Sequence, residues 1–329
     1  MSNSISPFSS RLAVGCLCAA SAISVHAQSQ NSVSGTGGFV SACAYSNAGS
    51  GFTPGSDLTT LFGAGHCVSD TFSGTGSATG IATYSDPSGP TVNQAQGTVG
   101  LGTIHLSASN SAPNNSYFAA AGANGGWTET FVANAANQAG PGVTVVALKV
   151  TGSLAAHGFA GASGFTLTGY KDKNQLTIYG VQGLYDYGSQ TTPLSTDRQA
   201  ATWSVATYAS NDNASATIND TIHLAIPVTL GTSFSFGVYG YALAGMRSIS
   251  VIQGISSADT DFGHTVTWGG VVGIYDANGH AFSDYSLTSA SGADWTRPLA
   301  APIPEPETWA LMLTGLGLLG FAARRRKNG

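Results

Sequence analysis

Apolar and polar residues alternate with a period of two in several segments between residues 28 and 297. Residues 234–238 place two Phe and one Val on one face of a strand and small residues on the other, and residues 165–168 follow the same pattern. Residues 203–208 are a further candidate strand. This period, rather than the 3.6-residue period of a helix, predicts a chain built from β-strands.

Two turns are predicted to connect strands into hairpins. Residues 171–174, with the sequence Lys-Asp-Lys-Asn, precede a strand at 176–181. Asp276-Ala277-Asn278-Gly279 separates residues 265–275 from residues 280–288, and its Asn-Gly pair tolerates the positive φ angles of a tight turn. The predicted fold is therefore all-β, an antiparallel β-sandwich with jelly-roll-like connectivity, as one large sandwich or two small ones.

Two segments depart from this pattern. A strand at residues 222–228 contains Pro227, which indicates an edge or the end of a strand. Residues 110–142 are rich in Ala, Asn and Gly and alternate regularly only at 127–132. They predict a long surface loop with one short strand, which serves either as a binding loop or as low-complexity padding.

The N-terminus carries an apolar run at residues 12–25, preceded by Arg11. The small-residue pattern Val25-His26-Ala27 predicts a secretory signal peptide over residues 1–27, cleaved after Ala27. A membrane anchor is the alternative, although the run is short and ends in a cleavage pattern.

The C-terminus carries a second apolar run, which predicts a single transmembrane helix over residues 309–323. Such a helix is about 22 Å long, shorter than a bilayer core of about 30 Å, so local thinning of the bilayer is needed. The basic tail at 324–329 begins with Arg324, Arg325, Arg326 and Lys327, which hold this end in the cytoplasm. The preceding Pro304-Glu305-Pro306 favours an extended, accessible strip beside the membrane.

The order of tripeptide, span and cations over residues 304–329 resembles the PEP-CTERM sorting signal of Gram-negative bacteria, a tail also known as the ice-binding protein C-terminal domain. The resemblance implies two partners, a secretion translocon and an exosortase-like membrane enzyme that cuts near Pro304, Glu305 and Pro306. It also implies an inner-membrane intermediate held by the C-terminal helix, followed by delivery to the cell surface or extracellular matrix. An ordinary C-terminal anchor is the alternative.

Between the two ends, residues 28–297 are predicted to form the sandwich ectodomain, and residues 298–303 a Pro- and Ala-rich linker. Charged residues make up only 8% of the chain, with 16 acidic against 11 basic residues. Because no basic patch is available to follow a phosphate backbone, nucleic-acid binding is excluded.

Cys43 and Cys67 are the two cysteines that would remain after removal of the signal peptide. In an exported chain such a pair predicts a disulfide, with two free thiols as the alternative. Together with His66 they form an incomplete ligand set for a metal ion, so no metal site is predicted.

Residues 63–68 resemble the histidine box of trypsin-like serine proteases, with His66 in the position of the general base. The orienting Asp and the Gly-Asp-Ser-Gly-Gly loop of that family are missing, so His66 is interpreted as structural. Asp259 and Asp261 have a calcium-loop spacing without the remaining ligands, and a turn before a strand is predicted there instead. No catalytic residue and no cofactor are predicted.

Two functions follow from these observations. The first is a non-catalytic cell-surface or biofilm-matrix protein that binds exopolysaccharide through exposed aromatic residues. The candidates are Tyr185, Tyr187, Tyr239 and Tyr241, with packing between strands as the alternative role. The second is a secreted hydrolase of polysaccharide or protein, which would require two aspartates facing each other in a cleft.

Overall fold

The computed structural model describes the chain from residue 35 to residue 299 with gaps. The described residues are 35–47, 67–85, 91–113, 118–136, 138–158, 161–172, 174–176, 178–179, 184–187, 190–193, 203–209, 212–246 and 255–299. Within them every regular element is a β-strand. Over the same residues, no helix has the length and hydrophobicity needed to span a membrane.

Seventeen strands form two sheets. Their bounds are β1 Gly37–Asn47, β2 Cys67–Ser73, β3 Ser77–Ser85, β4 Val92–Gly100, β5 Thr103–Pro113, β6 Phe118–Ala135, β7 Gly140–Gly158, β8 Gly161–Lys171, β9 Asn174–Gln175, β10 Ile178–Tyr179, β11 Leu184–Tyr187, β12 Gln190–Pro193, β13 Trp203–Tyr208, β14 Asp212–Leu230, β15 Ser233–Met246, β16 Ile255–Asp276 and β17 Tyr285–Ser289.

The larger sheet has ten strands in the order β12-β11-β13-β8-β15-β6-β1-β2, with β17 added to β6 and β9 added to β8. The smaller sheet has seven strands in the order β10-β14-β7-β16-β5-β4-β3. Neighbouring strands are antiparallel except for the pair of β11 and β13. The predicted all-β fold with antiparallel sheets is therefore confirmed, whereas jelly-roll-like connectivity stays a prediction.

The two sheets pack face to face over a core of small aliphatic and large aromatic side chains. Val40 of β1 lies against Gly97 of β4, and Val99 of β4 lies against Gly125 of β6. At one end of the core, five aromatic rings contact each other with centroid distances of 5.1 to 6.3 Å. This aromatic cluster consists of Trp127, Phe131, Phe236, Trp268 and Trp295.

The prediction of a surface loop at residues 110–142 was wrong. The middle of this segment is β6, which lies between β15 and β1 in the ten-stranded sheet. Residues 120–127 are buried on both faces of the strand. Ala and Gly are used here because neighbouring backbones approach closely: a Cβ atom on Gly125 would lie 2.6 Å from Val99 Cγ2 and 2.8 Å from the Phe39 carbonyl oxygen.

The predicted turns are present, but the strands after them do not continue as predicted. β9 pairs with β8 over two residues, and the next strand, β10, joins the seven-stranded sheet. After the turn at Asp276, a single bridge links Tyr275 to Ala281, and β17 then pairs with β6 of the other sheet. In both places the chain crosses to the other sheet shortly after the turn.

Two smaller predictions have different outcomes. The turn predicted at Asp259 and Asp261 was wrong, because both residues lie inside β16 and Phe262 points into the core beside Phe165. Pro227 lies near the end of β14, whose second neighbour is the two-residue strand β10, and this agrees with the predicted strand end.

The side chain of Asp70 connects β2, at the edge of the ten-stranded sheet, with β3, at the edge of the seven-stranded sheet. The carboxylate of Asp70 in β2 accepts a hydrogen bond of 3.0 Å from the backbone N–H of Thr79 in β3. This carboxylate occupies a backbone donor on the edge of β3 that none of the described strands pairs with.

Residues 1–298 form one compact unit, and residues 299–329 form a second. All described strands belong to the first. The predicted signal peptide, the domain boundary at 303/304 and the C-terminal helix lie outside the described residues and stay predictions.

Candidate binding faces

The sorting residues predicted from the sequence are not within the described part of the chain. Pro304, Glu305 and Pro306 lie outside it, as do Ala27 and the basic cluster Arg324, Arg325, Arg326 and Lys327. Their predicted roles in processing, cleavage and anchoring therefore depend on sequence alone.

The predicted disulfide is confirmed: Cys43 and Cys67 are bonded. The two residues lie directly opposite each other in the antiparallel pair of β1 and β2, so the strand register itself brings them together. The disulfide closes a loop with a sequence separation of 24 residues. His66 is immediately before this strand and outside the described residues.

The outward face of the ten-stranded sheet carries the first group of candidate ligand-binding side chains. Tyr239 and Tyr241 alternate with Phe236 and Val238, which point into the core, so both tyrosines point away from the seven-stranded sheet. They are nevertheless only 4% and 1% exposed. The prediction of exposed tyrosines for stacking on sugars was therefore wrong for these two, and their packing alternative is confirmed.

This buried group includes polar atoms that lack partners. Asn124 Nδ2 donates a hydrogen bond of 2.6 Å to the Tyr239 hydroxyl. Asn124 Oδ1, the Tyr241 hydroxyl and the Thr166 hydroxyl have no hydrogen-bond partner among the described residues. These three residues lie in one row across β6, β15 and β8. Burial, and then the neighbouring Tyr239, raise the pKa of Tyr241. This side chain is therefore neutral at physiological pH.

Tyr185 and Tyr187 belong to β11, which lies beside β13 at one end of the ten-stranded sheet. Their side chains lie outside what the structure describes. A role for these two in stacking on sugars stays a prediction.

The outward face of the seven-stranded sheet is the second candidate, and it is open to solvent. We call it the polar face, because most of its side chains end in hydroxyl or amide groups. It comprises Thr79, Ile81, Thr83, Gln94, Gln96, Thr98, Ser107, Ser109, Ser111, Lys149, Ser153, Ala155, His157, Ser215, Thr217, Asn219, Ser257, Asp259 and Asp261.

Two adjacent rows in the middle of this face have the same composition. Asp259, Ser109 and Gln94 lie opposite one another on β16, β5 and β4, and Asp261, Ser107 and Gln96 form the next row. Neighbouring strands are about 4.8 Å apart and the two rows about 7 Å apart. We call these six residues the double row.

The two aspartates of the double row are the nearest match to the carboxylate pair of a hydrolase. Partial burial, then the charge of Asp261, raise the pKa of Asp259, and His157 opposes them. The two carboxylates stand side by side on the same face of one strand and do not face each other across a cleft. Among the described residues, no cluster of His, Cys, Asp and Glu could hold a metal ion.

The polar face was missed in the sequence because its members come from six strands that are distant along the chain. Residues 92–100 and 103–111 do largely alternate between polar and apolar residues. Many positions in these segments are Ser, Gln, Ala or Gly, whose hydrophobicities differ little, so the period-two signal is weak.

Comparisons with known proteins give one informative match. Two solved structures, titled as infectious bursal disease virus of the Gx and Gt strains, align at 12% identity. The alignments cover 88% and 73% of this chain and 69% and 62% of theirs, with TM-scores of 0.13 and 0.14, too low to support any argument. No curated protein matches. The family model for the PEP-CTERM protein-sorting motif matches residues 302–327, so the chain carries this sorting motif at its C-terminus.

Proposed function

We propose that this chain is an exported, exosortase-sorted protein of the cell surface or biofilm matrix of a Gram-negative bacterium, that it is not an enzyme, and that it binds exopolysaccharide. The observation that carries the proposal is the PEP-CTERM protein-sorting motif at residues 302–327. The motif implies processing by an exosortase.

The proposed route has three steps. The signal peptide at residues 1–27 directs the chain to the secretion translocon, and the span at residues 309–323 then holds it in the inner membrane. The exosortase cuts near Pro304, Glu305 and Pro306, and the ectodomain passes outward. The disulfide between Cys43 and Cys67 supports export, because such bonds persist in oxidising compartments.

The polar face supports the proposal of a binding role rather than a catalytic one. The polar face offers many hydroxyl and amide groups on an open surface, whereas its two aspartates stand on the same strand without a cleft. Such a surface suits an extended, hydroxyl-rich partner better than the enclosed transition state of a hydrolase.

The test is fractionation of cells that produce the full chain together with an exosortase. Replacing Pro304, Glu305 and Pro306 by alanine should leave the protein in the inner membrane, because the span remains while the processing strip is lost. Pro298→Ala, outside the motif, is the matched control and should be released normally. Equal release of the triple variant and the wild type would overturn the sorting proposal.

A further inference from the structure

The double row is an accessible array of hydrogen-bonding groups on the polar face. Gln94, Gln96, Asp259 and Asp261 are exposed to solvent, and Ser107 and Ser109 between them are half-buried. We propose that the double row binds an uncharged polysaccharide chain lying across β16, β5 and β4. This inference rests on the proposed function and adds the location of the site and the class of ligand.

The functional groups of the double row match those of a sugar polymer. Glutamine amides and serine hydroxyls both donate and accept hydrogen bonds, and carboxylates accept them. Sugar hydroxyls do both, so the groups of each row can pair with donors and acceptors of successive sugar units. An apolar or purely cationic ligand would leave most of these groups unpaired.

The spacing of the row also favours a polymer. The register places Asp259, Ser109 and Gln94 on consecutive strands, and strands repeat at about 4.8 Å. This repeat is close to the length that one sugar unit contributes to an extended polysaccharide. A chain perpendicular to the strands would therefore meet one strand of the double row at each successive unit, first the two aspartates, then the two serines and then the two glutamines.

The charges on this face select against acidic polysaccharides. The double row contains two carboxylates and no cation, and Lys149 lies on β7 at the register of Thr267, beyond both rows. A uronic acid or sulfated polymer would meet like charge at Asp259 and Asp261. Among extracellular polysaccharides, the uncharged ones therefore fit best.

The experiment is native affinity electrophoresis of the full-length protein in detergent micelles. The gels contain dextran, galactomannan or hydroxyethylcellulose as uncharged polymers, or alginate as the anionic control. At least one uncharged polymer should retard the wild type. The Gln94→Ala/Gln96→Ala double variant should need at least tenfold more polymer for the same retardation.

The matched control is the Gln138→Ala/Asn278→Ala double variant, which removes two exposed amides that lie outside the polar face. It should retain retardation within twofold of the wild type. The inference is overturned if none of the three uncharged polymers retards the wild type, if alginate alone does so, or if both double variants lose binding equally. None of these results affects the sorting proposal, which the fractionation of cells tests separately.

Discussion

The indole N–H of Trp268 donates a hydrogen bond of 2.8 Å to the main-chain oxygen of Trp295. Trp268 belongs to β16, and Trp295 lies beyond the last strand, with no exposed surface. The segment that leads to the C-terminal sorting motif is therefore held in the aromatic cluster of the core, where Trp295 also contacts Trp127 and Phe131.

Trp295→Ala should destabilise the sandwich by about 3–5 kcal/mol, because it removes a buried indole from this cluster. Trp295→Phe should cost less, since it keeps a ring in the cavity and leaves the backbone acceptor of Trp268 in place. Chemical denaturation monitored by tryptophan fluorescence measures both. Arg297→Ala, at an exposed position nearby, is the control and should leave the midpoint unchanged. If Trp295→Ala changed the midpoint as little as Arg297→Ala does, Trp295 would not anchor this segment in the core.

Reduction of the Cys43–Cys67 disulfide should destabilise the protein by about 3 kcal/mol, because it frees a loop with a sequence separation of 24 residues in the unfolded chain. The double variant Cys43→Ser/Cys67→Ser should unfold at the lower temperature of the wild type in reductant, and reductant should not change its unfolding midpoint. Thermal unfolding of the wild type with and without dithiothreitol gives the comparison. Mass analysis of non-reduced exported protein should find no free thiol at either residue, and two free thiols would refute the bond.

Glu129 is a fully buried carboxylate beside the aromatic cluster. Its Oε1 atom accepts hydrogen bonds of 2.7 Å from the Thr36 hydroxyl and from the Thr130 backbone N–H, whereas Oε2 has no hydrogen-bond partner. Glu129→Ala should cost about 2 kcal/mol, because it removes both accepted hydrogen bonds.

Glu129→Gln tests the acceptor role of this side chain by itself. The glutamine keeps a carbonyl oxygen for Thr36 and Thr130, so its unfolding free energy should lie within about 1 kcal/mol of the wild type. Urea denaturation of the two variants side by side measures the difference. A glutamine variant as unstable as the alanine variant would show that the accepted hydrogen bonds are not the source of the stabilisation.

Gly125→Ala should destabilise the fold by about 1–3 kcal/mol, because the added methyl group would meet Val99 and the Phe39 carbonyl oxygen at 2.6 and 2.8 Å. Gly76→Ala is the matched control, since its nearest neighbour would be at an ordinary 3.4 Å. Differential scanning calorimetry of the two variants tests whether β6 needs glycine for close packing. Equal melting temperatures would argue against it.

The contrast between β13 and β6 shows which strands a sequence can predict. β13 has the predicted bounds, because Trp203, Val205 and Thr207 point into the core and alternate with residues on the other face. β6 gives no such contrast, because residues 120–127 are buried on both faces by small side chains. Alternation predicts a strand when one face meets water, and it fails in the middle of a sheet that is buried on both sides.

The candidate sites could be predicted from the sequence to different degrees. Cys43 and Cys67 could be paired from composition and compartment. The double row could not be found, since Gln94, Ser109 and Asp259 meet only through long-range strand pairing. Tyr239 and Tyr241 lie in β15 just beyond the strand predicted at 234–238, and a sequence does not reveal that the outward face of a sheet is itself buried.

The contact between Asp70 and Thr79 has a consequence for contacts between copies of this protein. An open strand edge invites a second copy to add its own strand, and successive additions lead to fibrils. The Asp70 carboxylate occupies a backbone donor that such an addition would need, and it places a negative charge at the point of approach. Copies held close together outside the cell would thereby be kept from polymerising through this edge.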